Sequence, residues 1–295
     1  MSKRRKRILV ALGLSTVVYL GLCLAIACAL TWPRNRNFED IKDVAGHPVE
    51  AISITAADEV PISAWLIPGD LTHGVVLATG IGGDRRSLVR RGEFYAARGF
   101  TVVLPDLRGT GKSAPENVTI GWEERKDVIA CVDFLRKRGV QHVGVNGISL
   151  GASAIAYSFN EDPQYDFVVL ESCYDTLDHA WRNRLAMFNV PHALTWPIRW
   201  FSEARIGQTT AKMAPILYLD RCTAPTLVVA GDSEVELKME ETRSIFDAVA
   251  AQDKRLHFFV GGHHEDFLGR YEVEFKATLG GFLDEVSARW NMAKN

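Results

Sequence analysis

From Val75 onward, short unbroken apolar runs alternate with segments of helical spacing. The runs are Val75–Ala78, Thr101–Leu104, His142–Val145, Phe167–Leu170, Thr226–Ala230 and Leu256–Val260. Branched apolar runs that do not alternate with polar residues mark strands covered on both faces. Between them, Val128, Cys131, Val132 and Leu135 share one helical face that Gly139 closes, and Leu279, Phe282, Leu283 and Val286 share another. Strand and helix in alternation predict a mostly parallel sheet with helices on both sides. Ahead of this, Val49–Ile54 and Pro61–Ile67 alternate in polarity around Ala57-Asp58-Glu59, which predicts an antiparallel hairpin.

Two stretches break the pattern. Ile8–Trp32 is uncharged and long enough to cross a hydrocarbon layer as a helix. Lys3, Arg4, Arg5, Lys6 and Arg7 precede it and only Arg34 and Arg36 follow closely, so the charge bias keeps the N-terminus cytoplasmic and sends the body across the membrane. Three fates compete: an uncleaved signal anchor, a signal peptide cut after the small residues of Ala25-Ile26-Ala27, or a lipidated Cys28. The second stretch lies between Leu170 and Thr226 and carries Trp181, Phe188, Trp196, Trp200 and Phe201. A connection of that length is normally functional. We expect a cap of short helices over the active site, about residues 172–224; an ordinary packed helix pair is the alternative. The expected organisation is a basic stretch and anchor over 1–32, a polar linker over 33–48 and one catalytic domain over 49–295.

Charge narrows the partners. The net charge is −2, but without the five N-terminal cations the body keeps 29 basic against 36 acidic residues, about −7. An acidic body excludes a phosphate-tracking surface, so nucleic acid is not expected as a partner. The five cysteines contain no C-x-x-C. On the strand assignment, Cys173 and Cys222 fall at opposite ends of the sheet, about 15 Å apart and too far for a disulfide.

Chemistry enters at Gly147-Ile148-Ser149-Leu150-Gly151, which follows one strand and opens a helix-like run through Tyr157. At a strand-to-helix junction the glycines permit a sharp turn that lifts the serine oxygen above the sheet. The helix beginning at Leu150 also points its first amides toward a developing oxyanion. The serine needs a base, and Gly261-Gly262-His263-His264, after the last strand run, offers two histidines; the spacing usual in the family this chain resembles, named below, points to this late position. His264 is preferred, with His263 as the alternative. For the acid that orients the imidazole, Gly231-Asp232-Ser233-Glu234 offers Glu234, with Asp232 as rival and Asp175 as a more distant one. The second oxyanion donor is expected from Thr79-Gly80-Ile81-Gly82-Gly83, which assigns the donors to the amides of Ile81 and Leu150.

These motifs resemble the α/β-hydrolase superfamily, and within it the serine aminopeptidase-like and Bem46-like hydrolases, from about Val49 to Phe282. Asp106-Leu107-Arg108-Gly109-Thr110-Gly111-Lys112-Ser113 resembles the family's D-x-R-G-x-G-x-S loop, a structural element near the nucleophile. Thr79-Gly80 stands where the family has His-Gly, and the acid is Glu where Asp is usual. The resemblance implies an eight-stranded α/β-hydrolase fold and an acyl-enzyme mechanism that needs no metal or cofactor. The first expectation is a serine hydrolase of esters, thioesters or lipid acyl bonds, with Tyr174, Trp181 and Phe188 of the cap contacting substrate. An amidase or aminopeptidase is the second; it would need a carboxylate cluster, for which Glu161, Glu171, Asp175 and Glu203 are the candidates. A catalytically inactive binding protein is the third.

Overall fold

The computed structural model describes residues 1–292. Its centre is an eight-stranded sheet built from β1 (Glu50–Thr55), β2 (Pro61–Ile67), β3 (His73–Ala78), β4 (Thr101–Pro105), β5 (His142–Ile148), β6 (Val168–Glu171), β7 (Thr226–Gly231) and β8 (Lys254–Phe259). Their order across the sheet is 1-2-4-3-5-6-7-8. β1 pairs antiparallel with β2, and β2 with β4; every other pairing is parallel. The helices are α1 (Lys3–Thr31), α2 (Val89–Ala96), α3 (Glu124–Lys137), α4 (Leu150–Ser158), α5 (Leu177–Met187), α6 (Trp196–Ile206), α7 (Met239–Ala248), α8 (Phe267–Arg270) and α9 (Glu272–Met292).

The central strands β3 to β7 lack alternation because both faces are dry. Along β3, Val76 and Ala78 join the layer holding Val128, Leu135 and Ile155, while Val75 and Leu77 join the layer of Phe94, Leu279 and Phe282. Successive strand side chains point to opposite faces, so each strand feeds both cores. Gly144 on β5 leaves the room that the Phe167 ring occupies: a Cβ there would sit 2.1 Å from that ring.

The region 33–48 is docked chain. Arg34 and Asn35 pair in parallel with Thr110 and Gly111 of the D-x-R-G-x-G-x-S loop. Phe38 meets the Trp65 ring edge-on at 5.9 Å, and Asp40 accepts a 2.8 Å hydrogen bond from the Trp65 indole. Arg85 is fully buried between the rings of Phe38 and Trp65, 5.2 and 4.9 Å from their centroids, with the carboxylates of Asp106 and Asp40 at 3.4 and 3.6 Å. A polar sequence reads as a linker, yet one aromatic ring seats it over a buried cation.

α1 is the one described helix long and apolar enough to cross a membrane, with a mean hydropathy of 2.4 in its most apolar window. It suits either an anchor or a signal sequence. Its C-terminal half is not isolated: Cys23 and Ala27 pack on Ile198 of α6, and Thr31 accepts a 2.6 Å hydrogen bond from the Arg205 guanidinium.

Candidate active site

Ser149 stands at the junction of β5 and α4 with φ +51 and ψ −109, a conformation costly for a residue with a side chain. The flanking glycines explain how the chain holds it. A Cβ on Gly147 would lie 2.5 Å from the Gly151 backbone, and one on Gly151 would lie 2.3 Å from the Ala78 carbonyl oxygen. The turn is therefore too tight for any other residue at either place. A 2.8 Å bond from the Ser149 amide to the Glu171 carbonyl pins the turn to β6.

Ser149, His264 and Glu234 form a hydrogen-bonded series. The Ser149 hydroxyl lies 3.1 Å from His264 Nε2, and His264 Nδ1 lies 2.6 Å from Glu234 Oε2. Glu234 is buried, and its other oxygen accepts from the Gly231 amide at 2.8 Å and the Ser172 hydroxyl at 2.7 Å. Both carboxylate oxygens are thus committed, which fixes the plane in which the imidazole is held. The rival residues do other work. Asp232 accepts from the Gly261 amide at 2.7 Å and the Ser233 hydroxyl at 2.9 Å, tying together the two loops that carry the acid and the base. His263 faces solvent and meets the Ser233 carbonyl at 2.9 Å. Asp175 is turned toward His179 and the Thr176 amide.

The loop after β3 closes as a turn through a 3.1 Å bond from the Gly83 amide to the Gly80 carbonyl, with Gly82 at φ +74. Ile81 sits within it and lines the cleft beside Ser149; Leu150 follows Ser149 as the first residue of α4, so its amide has no intrahelical acceptor. Thr79 fills its position by a 3.0 Å contact to the Ser87 hydroxyl. Asp106 reaches across to the Arg85 amide at 2.8 Å and also accepts from the Lys112 amide at 2.7 Å, so the D-x-R-G loop braces the residues that follow the glycine turn. Arg108 is held further away, by Asp127 and Asp58.

A cleft of about 510 Å³ opens at Ser149, lined by Gly80, Ile81, Arg91, Ile148, Ser172, His264 and Asp266 among others. Three expected contact residues lie elsewhere. Tyr174 is buried and bonded to Tyr157 and the Ile120 carbonyl, because a phenol at the base of the insertion finds its partners inside the body. Trp181 bonds Thr195 and packs where α5, α6 and α1 meet. Phe188 is 74% exposed. α6 of the cap packs against α1, and no residue of 173–224 is among those lining the cleft at Ser149.

Among the lining residues that the sequence did not single out, two bear on the site. Ser172, at φ +48 just past β6, holds Glu234; its place at the carboxyl edge of the sheet was the available signal. Arg91 on α2 forms a buried pair with Glu171, at 3.1 and 2.8 Å, and reaches Asp266 at 2.7 Å. Burial opposes its charge, but attraction to Glu171 and Asp266 wins and Arg91 stays cationic. Nothing in its local sequence marks it. The carboxylates considered for an amine-binding cluster are likewise spoken for: Glu161 pairs Arg125, Glu171 pairs Arg91, Asp175 meets His179, and Glu203 pairs Arg199.

Residues 87–289 match the model of the prolyl oligopeptidase family. The chain belongs to this family. Its members share the α/β-hydrolase fold described above, so the chain is an α/β-hydrolase. A Bacillus subtilis relative, the uncharacterized protein YqkD, is 21% identical over 306 residues, covering 96% of this chain and 98% of its own. Among solved structures, the Pyrococcus furiosus esterase Pf2001 superposes with a TM-score of 0.73 at 22% identity, over 87% of this chain and 98% of that one. The esterase EaEST of Exiguobacterium antarcticum gives 0.59 at 17% identity, over 80% of this chain and all of that one. At such identities the structures establish the shared fold.

Proposed function

We propose that this prolyl oligopeptidase-family chain is a serine hydrolase of carboxylic esters, thioesters or lipid acyl groups. The observation that carries the reading is the hydrogen-bonded series Ser149–His264–Glu234 at a strained strand-to-helix turn. Ser149 Oγ attacks the acyl carbon as His264 Nε2 takes its proton, and Nδ1–H stays bonded to Glu234. The amides of Ile81 and Leu150 receive the oxyanion. Collapse of the tetrahedral species transfers the proton from His264 to the leaving group and leaves an acyl-Ser149 ester. Water, deprotonated by the same imidazole, then releases the acid. No step draws on a metal or cofactor. The esterase identity of two structural neighbours supports the choice of ester. The five cations ahead of α1 support a body on the extracytoplasmic side.

A second reading has one specific support. Family membership points to a peptide amide as the bond cleaved. Against it, the four carboxylates considered for holding a free peptide amine, Glu161, Glu171, Asp175 and Glu203, are already paired.

Labelling with a fluorophosphonate, read by intact mass, tests the assignment. Wild type and His263→Ala should take up one probe, and Ser149→Ala and His264→Ala none. Labelling that survives in Ser149→Ala would move the nucleophile elsewhere. A panel of p-nitrophenyl acyl esters and aminoacyl anilides then separates the two substrate classes.

A further inference from the structure

Segment 185–198, the end of α5 and the turn into α6, contains no Asp, Glu, Lys or Arg. Its large side chains face outward: Met187 is 46% exposed, Phe188 74%, Leu194 57%, Trp196 63%, and Trp200 one turn later 56%. Tryptophan and other apolar side chains gathered on one exposed surface mark an interaction site. Trp in particular suits a membrane interface, where one end of the ring is apolar and the other wet.

What lies beside this surface identifies its occupant. The Tyr19 hydroxyl of α1 donates to the Leu194 carbonyl, and Cys23 and Ala27 pack on Ile198. A hydrocarbon layer takes about 20 helical residues, so a span beginning at Ile8 reaches its far boundary near Ala27. Tyr19 then lies about 12 Å inside that boundary at 1.5 Å per residue. A segment bonded to Tyr19 cannot stand clear of the lipid that surrounds α1. Because Leu194 is held at that level while Trp196 and Trp200, two and six residues on, are more than half exposed, the exposed side chains enter the same leaflet.

We propose that the uncharged 185–198 segment of the cap, together with Trp200, is immersed in the bilayer beside α1 as a second and monotopic membrane contact, while Arg199 stays paired with Asp178 and Glu203. Interfacial helices sink their apolar faces about 5–10 Å into the acyl boundary; the Leu194 carbonyl, level with Tyr19 at about 12 Å, stands somewhat deeper than that. The inference rests on reading α1 as a membrane-spanning helix. It holds whichever side of the membrane the body occupies, and it is independent of the reaction at Ser149.

Tryptophan quenching by acyl-brominated lipid in vesicles holding the full chain tests it. The double variant Trp196→Phe, Trp200→Phe should lose most of the quenching seen in wild type. Adding Val17→Trp to that variant should restore it, because Val17 is exposed on α1 within the span. If the double variant is quenched like wild type while Val17→Trp adds quenching, α1 spans and the cap stays out, which overturns the proposal alone. If Val17→Trp adds none, the spanning reading fails and the proposal falls with it.

Discussion

At the scale of single residues, the choice between Glu234 and Asp232 shows what spacing can carry. The sequence offers two carboxylates two positions apart in one loop. The structure separates them by what their oxygens hold: Glu234 takes His264, Ser172 and Gly231, and Asp232 takes Gly261. Glu234→Gln should lower kcat by roughly 10³–10⁴-fold, since the imidazole loses the partner that sets its tautomer. Asp232→Asn keeps an acceptor for Gly261 and should leave kcat within a factor of about two to three. Steady-state rates on one chromogenic ester decide, and the reverse order would make Asp232 the acid. The G-x-S-x-G run was legible because its glycines have a steric reason that applies wherever a strand turns sharply into a helix. Arg91 was not, because its meaning depends on Glu171 and Asp266, 80 and 175 positions away.

At the scale of elements, the strands were readable from apolar runs, since burial on both faces leaves no other pattern. The D-x-R-G loop was readable as an element, and its fastenings were not. Arg108 grips Asp58 in the hairpin turn before β2 at 2.7 and 3.0 Å, and Asp127 on α3 at 2.7 and 2.9 Å, so one guanidinium joins three segments. Hydrogen bonding from Arg108 holds the Asp58 carboxyl far below the usual carboxylate range, against the opposing effect of burial. A depressed folded pKa adds stability that is present above the unfolded value of about 4 and is lost as pH falls below it. Asp58→Asn should therefore cost about 1–2 kcal/mol at pH 7. The gap to wild type should narrow as pH drops below about 4. Urea melts at neutral and acid pH measure this, and a gap that stays constant would show that the charge of Asp58 is not what stabilises.

At the scale of the whole molecule, the least legible feature was where the insertion and the connector go. Helical spacing gives no direction, so the cap was expected above Ser149 and is found against α1. The connector was read as a polar linker, and in the structure the ring of Phe38 docks it on Trp65 and Arg85. The Arg85, Arg86 and Lys112 cations surround that ring at 5.2, 4.2 and 5.0 Å. Phe38→Ala should release the strip and make tryptic cleavage at Lys42 several-fold faster, with the thermal midpoint of the body nearly unchanged. Equal cleavage rates would mean that the short strand at Arg34–Asn35 holds the connector by itself.

The docked connector also bears on reach. A catalytic body on a slack tether samples a hemisphere and meets substrates at many heights. Here the chain leaving α1 passes directly into backbone pairing at Arg34 and Asn35, then to the ring over Arg85. The distance from the end of the helix to Ser149 is consequently a constant of the fold. Were α1 seated in a bilayer, the body would act as a ruler, holding Ser149 at one fixed height from the membrane.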